Sequence, residues 1–278
     1  MTFGLRILLM TSAVVVAAQA PPSFDAASVK LNTSSDWRKS IGPAPGGRFI
    51  ATNNTLRDLL PFAFGVPQIM AGIRIIGGPK WIDEDRYDIT ATVRGGWTPQ
   101  QMSDMLRAML VDRFALVAHR ETREMPTYAL IVASPSPRLR RSEIDQAACD
   151  ARRAAIQRRE AVPPLVPSAK PVCPTGRSGP GSITAIGWSL DALVTTLSPW
   201  VNRVVVDRTQ LRGLFDFELT WTPDQSVRVP DDAPPLAIDP NGPSIFTALQ
   251  EQLGLKLESA RGPVEVVVID SVQRPNPD

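Results

Sequence analysis

The chain has 278 residues, 43% of them hydrophobic, which is enough for one large or two small packed cores and is the composition of a globular protein rather than a disordered one. Its 30 basic and 28 acidic residues are spread along the chain and leave a formal charge of +2, which argues against a polyanion binder held to nucleic acid or an anionic membrane by charge. Arginine far outnumbers lysine, a bias that fits either anion recognition or a GC-rich genome, and the genome is the simpler reading.

The first element is a secretory signal over residues 1–20. Arg6 precedes an apolar run from Ile7 to Ala18, and Ala18-Gln19-Ala20 is a small-x-small cleavage site before Pro21. The expected mature chain starts near Pro21, is exported to the periplasm or the outside of the cell, and has no cysteine after the cut to carry a lipid anchor. No later stretch is long and apolar enough to span a bilayer.

The same order of signals then appears twice. Each copy opens on a glycine-led strand, from Gly47 to Thr52 and from Gly181 to Ile186. A helix follows each, with Thr55 and Ser189 as N-caps and with Leu56, Leu59, Leu60 and Phe64, or Leu190, Leu193, Val194 and Leu197, at helical spacing. Asp58 completes a capping box with Thr55, and Pro61 shortens the first helix. Two strands come next, Ile73 to Ile76 and Tyr87 to Val93 in the first copy, Val204 to Val206 and Phe215 to Trp221 in the second. A second helix begins at Thr98-Pro99-Gln100-Gln101 with a stripe of Met102, Met105, Leu106, Met109 and Leu110, read as packed core rather than a flexible groove. Its counterpart carries Ile245, Leu249 and Leu253 and stops at Gly254. Each copy closes on a strand pair: Phe114 to His119 with Thr127 to Ala133, and Leu255 to Glu258 with Val264 to Ile269 across an Ala260-Arg261-Gly262-Pro263 turn.

The expected fold class is therefore α+β, with two tandem βαββαββ-like repeats, each two helices on a small mixed sheet. Residues 21–133 form the first repeat with an N-terminal strand, 134–180 a Pro/Arg-rich insert with a short helix around Ile144 to Arg159, and 181–278 the second repeat. Thr222 to Pro243 reads as a surface loop. Cys149 and Cys173 lie in the insert, and an even count in an exported chain points to a disulfide; a metal or redox pair is disfavoured because CxxC spacing and nearby histidines are missing.

Several motifs carry a resemblance in combination: Phe24-Asp25-Ala26-Ala27-Ser28-Val29-Lys30, Gly46-Gly47-Arg48-Phe49, Leu56-Arg57-Asp58-Leu59-Leu60, the run from Gly77 to Ile89, Val206-Asp207-Arg208-Thr209, and the run from Phe246 to Glu258. Together they resemble an exported, soil-associated family abundant in acidobacteria, domain of unknown function 3738, over nearly the whole mature chain. Relatives attached to membrane peptidases make a sensor or interaction domain the role the resemblance implies. The element order is also similar to that of the short N-terminal domains of secretins and outer-membrane receptors, which are periplasmic protein-binding modules; that likeness is at the level of fold.

Chemistry is sparse. His119 is the only histidine and reads as a surface residue; zinc, nucleotide and haem motifs are missing, so no cofactor is expected. The acidic run Asp83, Glu84, Asp85 and Asp88 could hold calcium or act as an acid and base pair, but reads more simply as a solvated turn beside Arg86, with Asp88 and its counterpart Asp216 serving hydrogen bonding within each copy. Trp81, Trp97 and Trp200 lie near turns, and with Asp83 and Asp85 they make the candidate binding surface. The expected function is an exported, non-catalytic binding protein with an envelope or extracellular protein as partner; the alternative is a carbohydrate or peptide hydrolase acting through the Asp83 to Asp88 cluster.

Overall fold

A computed structural model describes residues 22–36, 38–94, 97–158, 171–223 and 241–275; the expected signal segment and most of the Thr222 to Pro243 loop lie outside the described residues. The first half runs β1 (Ala26–Leu31), β2 (Ser40–Ala44), β3 (Arg48–Thr55), α1 (Leu56–Phe64), a 3-10 turn (Gln68–Met70), α2 (Ala71–Arg74), β4 (Ile75–Gly77), α3 (Trp81–Glu84), β5 (Arg86–Thr92), α4 (Pro99–Phe114) and β6 (Val117–Val132). The second runs β7 (Arg140–Arg141), α5 (Gln146–Gln157), β8 (Thr175–Gly179), β9 (Ser182–Trp188), α6 (Leu190–Trp200), β10 (Val204–Asp207), β11 (Phe215–Thr220), α7 (Ile245–Ala248) continued by a π turn (Leu249–Leu253), and β12 (Leu255–Ser271).

Helix starts follow the side-chain chemistry that the sequence carries. Thr55 accepts from the Asp58 amide while Asp58 accepts from the Thr55 amide, and Thr98 and Gln101 make the same reciprocal pair at α4, so orphan donors of both helices are satisfied. Ser189 caps α6 and Ser244 caps α7. Burial tends to raise the Asp58 pKa, but the Lys39 ammonium 2.6 Å away and the Thr55 hydrogen bonds outweigh it and hold the carboxyl below its usual range. The methionine stripe of α4 is buried core, and α1 runs nine residues through Pro61 before Gly65 ends it in a left-handed cap.

Among the described residues three four-stranded sheets result, ordered β1-β5-β3-β2, β10-β6-β12-β4 and β7-β11-β9-β8. The outer two are antiparallel throughout. In both, a residue with positive φ sits two before the helix cap, Asn53 (φ 57°) and Gly187 (φ 71°). Its amide donates at 2.8 Å to a carboxylate on the neighbouring strand, Asp88 or Asp216. The two aspartates thus fix the bend where strand becomes helix. Gly187 also has no room for a side chain, since a Cβ there would fall 2.2 Å from Ile144 Cδ1.

The central sheet departs from expectation. No hairpin closes either half. Phe114 to Ala133 is instead the end of α4 and one continuous strand, β6, and Leu255 to Ile269 lies within a second, β12; the two pair antiparallel from Leu255 opposite Val132 to Ile269 opposite Ala118. Arg261-Gly262-Pro263, expected as part of a turn, lies mid-strand opposite Pro126, Met125 and Glu124 in that order. Prolines are tolerated there because β10 flanks only Thr127 to Leu130 and β4 only Val267 to Ile269, leaving this stretch two strands wide with open edges. Partners outside the local sequence therefore overruled the turn chemistry. Each short strand also pairs parallel with the long strand of the other half, β4 with β12 and β10 with β6.

The cores follow this exchange. The first, built on Phe49, Leu56, Leu59, Leu60, Tyr87, Leu106 and Phe114, includes Val267 and Ile269 from β12. The second, built on Ile183, Leu193, Leu197, Phe217 and Leu249, includes Leu130 from β6. Glu265 of β12 ties the halves at the surface: its carboxylate accepts from Arg74 at 3.1 Å and Arg120 at 2.6 Å, and its carbonyl from Arg74 Nε at 2.8 Å.

The insert is more than a connector, since β7 and β8 extend the third sheet and α5 carries Cys149, which is buried and bonded to Cys173. Breaking this bridge frees a loop of about 25 residues in the unfolded chain, a loss of roughly 3 to 4 kcal/mol in the chain-entropy picture. Cys149→Ser with Cys173→Ser should lower the thermal midpoint clearly, and reductant should shift the wild-type melt but not that of the double variant.

Candidate functional site

Arg57 of α1 organises the segment between β4 and β5. Its guanidinium donates to the Asp83 carboxylate at 2.8 and 3.1 Å and to the carbonyls of Ile75 at 3.0 Å and Gly77 at 3.1 Å. The one-turn helix α3 is thereby strapped over the end of β4. The chain can turn into it only through Gly78, at φ 86°, where a Cβ would meet Ile82 Cδ1 at 2.4 Å. Ile82 is fully buried, Trp81 is half-buried against the first core, and Asp83 and Glu84 are exposed.

Trp81 and Asp85 meet through a residue that sequence reasoning missed. Arg274 lies over the Trp81 ring, 5.2 Å from its centroid, while its Nε donates to Asp85 at 2.7 Å. Nothing in the sequence around Arg274 signals this role. Beside them Tyr87 is buried edge-on against Phe114; burial first and the Asp85 charge second push its phenol up to about 12, with Arg274 acting the other way. A cleft of about 400 Å³ opens here, lined by Val29, Lys30, Leu31, Asp85, Tyr87, Arg274 and Pro275. Leu31 at its rim is 60% exposed, and Lys30 is exposed with no ion pair among the described residues.

The acidic run does not converge. Asp83 is held by Arg57, Asp85 by Arg274, and Asp88 by the Asn53 amide and the Asn32 side chain, both at 2.8 Å. Among the described residues, no group of three or more histidine, cysteine, aspartate or glutamate side chains is placed to hold a metal ion. Of the expected surface, Trp81, Asp83 and Asp85 lie together, whereas Trp97 packs half-buried on the first core ahead of α4 and Trp200 packs on the second, donating to Ser178 at 3.2 Å and standing edge-on to Trp221.

His119 has richer surroundings than an isolated surface residue. Its Nδ1 is 2.8 Å from Asp270 and its Nε2 is 3.5 Å from Glu121, and the Asp270 hydrogen bond holds the ring's pKa above the ordinary 6.5. A second unforeseen residue is Gln252 in the π turn. Its side-chain amide accepts from the Thr220 amide at 2.9 Å and donates to the Thr220 carbonyl at 2.7 Å, completing the end of β11 as a neighbouring strand would. The arginine excess likewise finds a use, since Arg57, Arg107, Arg113, Arg138 and Arg141 all donate to backbone carbonyls. No helix among the described residues is long and apolar enough to cross a membrane.

A family model described as a protein of unknown function (DUF3738) matches residues 57–272. No curated protein and no solved structure matches the chain.

Two outcomes follow from this geometry. Arg57→Ala should destabilise the fold by about 2 kcal/mol, because two carbonyls and a carboxylate lose their donor together, and denaturant melts would read it. His119 should titrate with a midpoint above 6.5 in NMR of the tag-free protein, where its ring signals are unique, and Asp270→Asn should bring that midpoint down. Because the folded value is raised, its stabilising contribution is complete below the unfolded pKa and fades as pH rises through the folded one.

Proposed function

The chain belongs to the DUF3738 family, and we propose that it acts there as an exported binding protein of the cell envelope, built from two copies of one βαββαβ unit whose long strands are exchanged. The observation that carries the binding reading is the contrast at the end of β4. Asp83, Asp85 and Asp88 are each taken up by their own cation or amide, while the adjoining cleft offers an exposed aliphatic side chain and a lysine with no ion pair among the described residues. Such a surface is arranged to receive a partner.

Export rests on the charged, apolar and small-residue segments of residues 1–20, with a start near Pro21 and a periplasmic or extracellular destination. The two-copy reading draws on the matched Asn53–Asp88 and Gly187–Asp216 bonds, and on the left-handed residues Ala115 and Gly254 that end the second helix of each half. A shared ancestor accounts for both pairs at once.

In-cell cross-linking of the tagged protein with mass spectrometry of the captured material tests the reading. One reproducible envelope protein should be recovered, and the bait should begin near Pro21. Recovery of the bait alone counts against a protein partner. Turnover of a carbohydrate or peptide, abolished by alanine at Asp83, Asp85 and Asp88 with the fold intact, would establish a hydrolase in its place.

A further inference from the structure

We propose that the cleft beside Trp81 receives the C-terminal residue of a partner chain, with its α-carboxylate on Arg274 and its aliphatic side chain against Leu31 and Tyr87; this rests on the binding reading above and specifies which part of the partner is held. The guanidinium of Arg274 is fixed from two sides. Its Nε donates to Asp85 at 2.7 Å, and its Cζ lies 5.2 Å from the centre of the Trp81 ring. Among the described residues nothing accepts from Nη1 or Nη2, so the outer fork of the guanidinium stands free at the wall of the cleft that Arg274 lines. The two parallel N–H groups of that fork match the two oxygens of a carboxylate. Because Asp85 and Trp81 already hold the side chain, less rotamer freedom is lost when the fork is occupied.

Charge and lining fix the class of ligand. Lys30 and Arg274 against Asp85 leave one positive charge to be matched in a cleft of about 400 Å³, which suits a monoanion. The rest of the lining is Val29, Leu31, Pro275 and Tyr87, which suits an aliphatic group next to that anion. A chain end carries both features on one carbon, the α-carboxylate and the last side chain. An acidic last side chain would bring a second negative charge towards Asp85, and a basic one would meet the two cations. The apolar surface also continues out of the cleft, since Leu31 at its rim is 60% exposed, and the residue before the chain end can cover it.

The test is selection from a library of random heptapeptides displayed with free C-termini, against the whole protein. Enriched peptides should end on an aliphatic residue, and the leading one, made synthetically, should lose binding when its terminus is amidated. It should bind roughly tenfold or more weakly to Arg274→Gln, and nearly as weakly to Arg274→Lys, which keeps the charge and loses the fork. Leu31→Asp should weaken it as well. Both positions are exposed, and circular dichroism verifies that the variants fold. No enrichment, enrichment indifferent to the last residue, or affinity unchanged by amidation or by Arg274→Gln overturns the proposal. So does octanoate if it binds the cleft as tightly as the leading peptide, because the occupant is then a free acid. A photo-reactive residue at position 31 separates the two levels. If whole-protein cross-linking captures an envelope partner and position 31 does not, the binding function stands and this site falls.

Discussion

The antiparallel pairing of β6 with β12 is the constraint on which the remaining architecture depends. Each strand leaves the core of its own half and finishes in the other, so Leu130 packs in the second core and Val267 and Ile269 in the first. The short strands β4 and β10 find their partners only on those distal ends. Neither half can complete its hydrophobic core without the other, and the two are expected to unfold together. Glu265, midway along β12, adds a charged clasp between Arg74 and Arg120, but it is half-exposed and its contribution is small beside the burial of the strand ends.

Arginine serves mainly as a structural donor. Its guanidinium reaches several acceptors in fixed directions, so one residue can join a helix, a strand end and a turn, as Arg57 does between α1, β4 and α3. This explains how a chain with few lysines keeps short elements in place. The aspartates of the Gly77 to Ile89 run are the other side of the same arrangement: Asp83, Asp85 and Asp88 each have a defined partner, and the segment is held by those pairings instead of by a long helix. Arg274, from beyond the last strand, closes the arrangement over Trp81 and leaves the cleft at its margin.

The legible part of the fold was its local part. Thr55-Leu56-Arg57-Asp58 and Thr98-Pro99-Gln100-Gln101 carry reciprocal caps whose partners lie three residues apart, so their helices were readable directly. The disulfide was readable because only two cysteines exist. Asp88 and Asp216 were placed in matching positions by pattern, although the amides they accept from, 35 and 29 residues away in the chain, are set by folding. The candidate site was half legible. Trp81, Asp83 and Asp85 are close in sequence and remain close in space, whereas Lys30, Leu31 and Arg274 reach the same place from the two ends of the described chain.

What the amino-acid sequence determined by itself is the capped helices α1, α4 and α6 and the alternating strands β3, β5, β9 and β11, with their amphipathic faces, since caps, alternation and helical spacing act within a few residues and need no distant partner. Tertiary structure alone decided which strands pair. Ala260-Arg261-Gly262-Pro263 carries good turn chemistry, yet it is extended, because a turn there would leave Val267 and Ile269 without the first core and β4 without its ladder. Local preference at such a site is worth about 1 kcal/mol, less than the roughly 1.5 to 3 kcal/mol from burying each large aliphatic side chain that the extended strand delivers to the other half.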